Sequence, residues 1–174
     1  RQIERRIERF FEFPRQPDEF EALFLDPVRR NAFFLAKLPA LAFFGVDVRE
    51  LTAERCQVRL PFTWRTQNPF QSVYFAAQAA AAELASGALV LRGISGHPAI
   101  SMLVTGLEGQ FSKKAKSDVF FTCEDGRALL EGIERALAGE EAVVVVRSTG
   151  RLTDGTEVSR FTLTWSLKKK GSKA

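Results

Sequence analysis

The run TQNPFQSVYFAAQAAAAELASG, residues 66–87, constrains the fold more than any other stretch of the chain. It passes from a polar, proline-containing loop into a helix that is almost all small or apolar, and a helix apolar on nearly every side must be buried. Ala79, Ala80, Ala81, Ala82 and Ala85 carry so little bulk that neighbouring elements can approach its backbone closely. The only strongly polar side chains inside it are Gln78 and Glu83. A carboxylate in such a helix needs either a partner or a task, because leaving it buried and unpaired is costly. Residues 73–91 have about the length of a membrane span, yet they are mostly Ala and include Gln78, Glu83, Ser86 and Gly87. Such a run is far less apolar than a span of Leu, Ile and Val, so no membrane partner is expected.

The helix therefore belongs in a globular core, and the composition agrees. The chain has 174 residues, enough to bury a core of its own as one domain. Sixteen Phe stand against one Tyr, so most of the aromatic surface lacks a polar handle and is expected inside. Cys56 and Cys123 are the only cysteines, which gives no support to a disulfide scaffold or a thiolate metal site and points to a reducing, cytoplasmic compartment. His97 is the only histidine, so no metal is expected. The formal charge is +4, but much of the excess sits in the tail LKKKGSKA, and no recognition motif accompanies it, so nucleic acid is not expected as a partner. The opening RQIERRIERFFEF is too charged for a signal-peptide core.

Residues 1–38 read as helical. IERRIERFFEF sets Ile3, Ile7, Phe10 and Phe11 on one face, DEFEALFL follows Pro17, and Asp26 with Pro27 makes a cap and first turn for a helix running to Lys37. Beyond Pro39 the period changes to two. GVDVREL and ERCQVRLPF put Val46, Val48 and Leu51, then Cys56, Val58 and Leu60, on one side, as in two strands joined by a tight turn. After the long helix come the strands AISMLVTGLEGQF and DVFFTCE, with SKKAKSD as the turn between them. A short amphipathic helix, RALLEGIERALA, follows, and then a hairpin turning at Thr153, Asp154 and Gly155. The order suits an α+β domain whose curved antiparallel sheet wraps the long helix. We divide it into an N-terminal helical extension, residues 1–38, and residues 39–174 as the sheet-and-helix unit.

The hairpin, the loop TQNPFQ, the small-residue helix and the four later strands, roughly residues 40–168, resemble the hotdog fold of acyl-CoA thioesterases and dehydratases, in a branch with extra N-terminal helices. That resemblance implies a homodimer, or a dimer of dimers, whose sheets join edge to edge. It also implies acyl-thioester tunnels at the subunit interface beside the start of the central helix, and coenzyme A as part of the substrate rather than a cofactor. Many members have a His-Gly-Gly-like turn before the helix and an acidic residue about two turns in. Here the turn is Asn68, Pro69, Phe70, Gln71 and Ser72, without glycine, and the only carboxylate is Glu83, beyond Gln78. The catalytic candidates are Glu83 as base, with Gln78 and Asn68; Gln71 and Ser72 line the reactive end, and Lys113, Lys114 and Lys116 suit coenzyme A phosphates. Each has a structural alternative. Glu83 would pair with an Arg or accept backbone donors, Gln78 would be a satisfied core amide, Asn68 or Ser72 would cap the helix, and the lysines would form a solvated turn. The function expected is acyl-CoA hydrolysis, and the alternative is a non-catalytic acyl-binding or dimerisation module on the same fold.

Overall fold

The structure is a computed structural model and describes residues 13–97 and 99–171. The expected helix in the first dozen residues lies outside the described residues. Helix α1 (Pro17–Leu25) and helix α2 (Pro27–Lys37) each start on a proline, whose missing N–H is harmless in a first turn. Asp26 caps α2 as expected, its Oδ1 accepting from the N–H groups of Val28 and Arg29 at 2.9 Å each. Phe20 and Phe24 from α1 stack with ring centroids 4.3 Å apart, and Phe24 meets Phe34 of α2 edge-on. Where the sequence shows only a change of period after Pro39, the chain makes one more short helix, α3 (Pro39–Phe44). Gly45, at φ 70°, ends it by supplying the left-handed residue such a stop requires.

Strands β1 (Asp47–Leu51) and β2 (Cys56–Leu60) form the expected hairpin. A shift of register between Val48 and Glu50 explains how Val48 and Leu51 both face inward although three positions apart. The long helix α4 (Phe75–Gly93) follows, starting and ending two residues later than the sequence indicates. Then come β3 (Ile100–Phe111), β4 (Val119–Cys123), α5 (Gly126–Leu137), β5 (Ala142–Arg151) and β6 (Glu157–Lys169). The six strands form one antiparallel sheet in the order β1-β2-β4-β5-β6-β3.

One face of that sheet packs on α4, which touches β2, β4, β5 and β6. Alternation delivers the inward set: Cys56, Val58 and Leu60; Val119, Phe121 and Cys123; Val144 and Val146; Phe161, Leu163, Trp165 and Leu167. Against them lie Ala77, Ala81, Ala82, Ala85 and Ala88 of α4, all fully buried. The Trp165 indole N–H donates to Ser86 Oγ on α4 at 3.1 Å, giving a buried polar tip its partner. The phenylalanines of α1 and α2 join the same apolar cluster, so the N-terminal helices extend this core. No described helix is long and apolar enough to cross a membrane.

Strand β3 stands at the edge of the sheet, bonded only to β6. A register shift between Val104 and Gly106 turns Leu107, Gly109 and Phe111 to the inner side, opposite Leu163, Phe161 and Ser159. Nothing in the described chain covers that end: Leu107 is 48% exposed and Phe111 49%. Beside it, the one side of α4 not sealed by the sheet or α5 carries Ala76, Ala79, Ala80 and Glu83, all partly exposed.

Candidate functional site

The loop leading into α4 is built around Asn68. Its backbone N–H donates to the Ser72 carbonyl at 2.8 Å, and its Oδ1 accepts from the N–H groups of Phe70 at 3.0 Å and Ser72 at 3.3 Å. Its Nδ2 donates to Ser72 Oγ at 3.0 Å. The loop closes so tightly that Gln71 takes φ 56°, the only described non-glycine residue at positive φ. That conformation disfavours a side chain with a Cβ, so a glutamine is held in a position glycine would fill more easily. Asn68 and Ser72 bond each other, and neither caps α4. The N-cap is Tyr74, with no side-chain bond to the first turn. The N–H groups that begin α4 therefore have no side-chain cap, which is an arrangement suited to an oxyanion or an anion.

A cleft of about 390 Å³ opens at this end of α4, lined by Asn68, Phe70, Ser72, Phe75, Gln78, Phe111, Lys113 and Lys114 among others. The segment bearing the lysines is anchored by Ala115, which is fully buried and whose carbonyl accepts from Val73 N–H at 2.8 Å. Lys114 Nζ lies 5.6 Å from the centre of the Phe70 ring. Lys116 is exposed and does not line the cleft, and Gln71 sits on the loop outside it. Gln78 reaches the cleft, but its amide is engaged at both ends. Nε2 donates to the Val73 carbonyl at 3.2 Å, and Oε1 accepts from Ser159 Oγ at 2.8 Å. The structure thus gives Gln78 the satisfied-amide environment, with its oxygen and one of its two Nε2 hydrogens committed.

Glu83 lies five positions further along α4, about 7.5 Å up the axis and about 140° around it from Gln78. It does not line the cleft within one chain. Its carboxylate folds over Gly87, where an added Cβ would stand 3.0 Å from Oε1 and 3.5 Å from the Trp165 ring. No arginine and no backbone donor reaches it: among the described residues the carboxylate has no hydrogen-bond or ion-pair partner. Burial without compensation pushes its pKa above the ordinary carboxylate range. The pairing alternative for Glu83 is therefore not met among the described residues.

Phe70, Phe75 and Phe111, which wall the cleft, are exposed by roughly half or more, against the expectation that phenylalanines seek the interior. The legible signal was their position: Phe70 sits in a polar loop beside a proline, and Phe111 ends an edge strand.

The antiparallel sheet wrapped on a buried central helix, with a polar loop feeding an uncapped helix start, is the hotdog fold of the thioesterase-like proteins. The chain belongs to the family described as Domain of unknown function (DUF4442), which matches residues 29–167. Three solved structures illustrate the likeness of fold. A Pseudomonas aeruginosa protein of unknown function, called a probable thioesterase, is 18% identical with TM-score 0.68, over 84% of this chain and 99% of its own. A Haemophilus influenzae thioesterase is 15% identical with TM-score 0.60, over 84% and 95%. A thioesterase family protein from Silicibacter pomeroyi is 17% identical with TM-score 0.59, over 80% and 95%. No curated protein sequence matches the chain.

Proposed function

We propose that the protein hydrolyses acyl thioesters of coenzyme A at a seam between two copies of the chain, with Glu83 as general base. The observation that carries this reading is the partly desolvated Glu83 carboxylate, without a partner among the described residues, on the one open side of the central helix. A carboxylate whose pKa is raised by burial is a stronger base than an exposed one. It would take a proton from water as the hydroxide adds to the thioester carbonyl. The tetrahedral oxyanion would be held by N–H groups of the first turn of α4 and by Asn68. Collapse breaks the C–S bond, releasing coenzyme A thiolate, which picks up the proton, and a carboxylic acid. Gln78 holds the Val73 carbonyl and so positions the entry to the helix, while Gln71 and Ser72 shape the loop. Lys113 and Lys114 attract the coenzyme's phosphates, and the exposed Lys116 adds positive charge to the same segment.

The second copy supplies what one chain lacks. The unpaired edge of β3, its uncovered Leu107 and Phe111, and the alanine stripe around Glu83 together form a surface that another β3 and another α4 would cover. One observation favours the rival reading of a non-catalytic acyl-binding module: within a single chain Glu83 stands off the cleft that holds Asn68. Thiol release from an acyl-CoA series of increasing chain length separates the two. Hydrolysis of any member supports the enzyme, and binding of acyl-CoA without thiol release from any member leaves the module.

A further inference from the structure

An apolar surface stands apart from the β3 edge and the cleft at the start of α4. Trp64 is 73% exposed, and its indole meets the ring of Phe43 edge-on with centroids 6.0 Å apart; Phe43 is itself 52% exposed. Leu35, 69% exposed on α2, borders the same ground, because it lines a cleft together with Ala42 and Arg65, the chain neighbours of Phe43 and Trp64. Val28 lies two turns back from Leu35 on the same face of α2 and is exposed as well. Two helices and a loop thus bring large apolar side chains onto one uncovered patch. Apolar side chains gathered in this way, rather than scattered singly, mark an interaction surface.

The charge around the patch indicates what covers it. Residues 27–45 and 61–75, which supply the patch, carry Arg29, Arg30, Lys37 and Arg65 and no Asp or Glu. Arg30 is buried against Asp47, but Arg29, Lys37 and Arg65 have no ion-pair partner among the described residues. A second copy joined through β3 would not reach this ground. The patch is tied to the opposite edge of the sheet, where Arg30 of α2 pairs with Asp47 of β1 at 2.9 Å. Apolar rings flanked by cations alone fit the boundary of a lipid bilayer, where Trp and Phe settle at headgroup depth and Arg and Lys meet anionic phosphates. We propose that Leu35, Phe43 and Trp64, flanked by Arg29, Lys37 and Arg65, dock the protein on the surface of an anionic phospholipid bilayer. This contact is with one leaflet, so it departs from the sequence expectation of no membrane partner and leaves untouched the argument against a spanning helix. Docking would also bring the start of α4 near the bilayer, because the carbonyl of Thr66, two residues past Trp64, accepts from the N–H of Tyr74, the α4 N-cap, at 2.7 Å. The proposal does not depend on the thioester reading.

Vesicles of phosphatidylcholine alone, and of phosphatidylcholine mixed with phosphatidylglycerol, test the surface on the full chain by cosedimentation and tryptophan emission. Trp165 is buried, so a change of solvent polarity at the surface is reported by Trp64. Mixed vesicles should bind the protein and move that emission to the blue, while neutral vesicles should bind at least about tenfold more weakly. Each cation close to an anionic surface is worth about fivefold in partitioning, so changing Arg29, Lys37 and Arg65 together to Gln should weaken binding about 100-fold. Trp64→Ser should weaken it at least about tenfold and abolish the blue shift. Both variants should keep the wild-type melting temperature, since the altered side chains have no ion-pair partner to lose. No binding at millimolar anionic lipid, equal binding to neutral vesicles, or wild-type binding by the triple variant would overturn the proposal. So would a Trp64→Ser protein whose sedimentation in the absence of lipid shows a lower oligomer than the wild type, because the patch would then be covered by a second copy of the chain.

Discussion

Glu83→Gln is expected to make the protein more stable, which is the reverse of what a buried ion pair would give. The carboxylate has no partner among the described residues, and its position over Gly87, partly exposed, strips away part of its water without replacing it. A polar group buried without a partner costs about 1–3 kcal/mol in proteins. Glutamine removes the charge but keeps an unpaired amide, so we expect a gain of about 1 kcal/mol at neutral pH, read as a rise of about 2–4 °C in melting temperature for a chain of this size. The pH dependence follows from the direction of the shift. Burial raises the pKa of Glu83 in the folded chain above the 4.5 of the free side chain. Between those two values the folded state holds more protons than the unfolded state, so stability falls as pH rises through the window. The penalty is complete above the folded pKa and absent below 4.5. The advantage of Glu83→Gln should therefore be larger at pH 7.5 than at lower pH and shrink as the pH is lowered toward 4.5, measured by calorimetric melting of both proteins across that range. A fall in melting temperature at neutral pH equivalent to about 3–5 kcal/mol would refute the reasoning, because it would reveal a cation left unpaired. An advantage that did not change with pH would refute the titration argument.

Leu107→Lys, on the uncovered inner side of the edge strand, should convert a dimer to monomer in sedimentation at micromolar concentration with the far-ultraviolet dichroism unchanged; a wild type already monomeric there would remove the seam. Gln78→Ala strands Ser159 Oγ and the Val73 carbonyl, so unfolding titrations should show a loss of about 1–3 kcal/mol, and an unchanged midpoint would contradict the engaged amide. Changing Lys113, Lys114 and Lys116 together to Ala should weaken acyl-CoA binding and flatten its salt dependence while the melting temperature holds; equal affinity and slope would leave a solvated turn. Gly126→Ala should cost about 1–3 kcal/mol, because its Cβ would stand 2.2 Å from the Ala53 carbonyl oxygen and the backbone there cannot yield; a change under about half that range would refute the contact.

Periodicity carried most of the fold. Alternation in CQVRL and VFFTC and the small-residue run of α4 each specify which face is buried, and one buried face leaves little freedom of register. The short helix α3 escaped because PALAFF spans too few turns to show a helical period. Bulges escaped for a related reason: the extra residue in β3 moves Leu107 and Phe111 to the inner side, and only the pairing with β6 reveals it. At the site, the sequence placed Asn68, Ser72, Gln78, Lys113 and Lys114 near one another in purpose, and the fold brings them around one cleft. It could not show that Asn68 would bond Ser72 and leave α4 uncapped, since both residues are ordinary helix caps. Nor could it show the convergence of Arg30, Arg59 and Arg65, which come from a helix, a strand and a loop and meet only through tertiary packing.

The central claim, that Glu83 is the base of a thioester hydrolase, is tested most directly by single-turnover release of coenzyme A from the acyl-CoA the wild type hydrolyses best, compared with Glu83→Gln at pH 7.5. The account requires the rate to fall about 10²–10⁴-fold in the variant, the range a general base contributes, while acyl-CoA affinity stays within a few fold and the melting temperature does not fall. A variant that releases coenzyme A at the wild-type rate would contradict it.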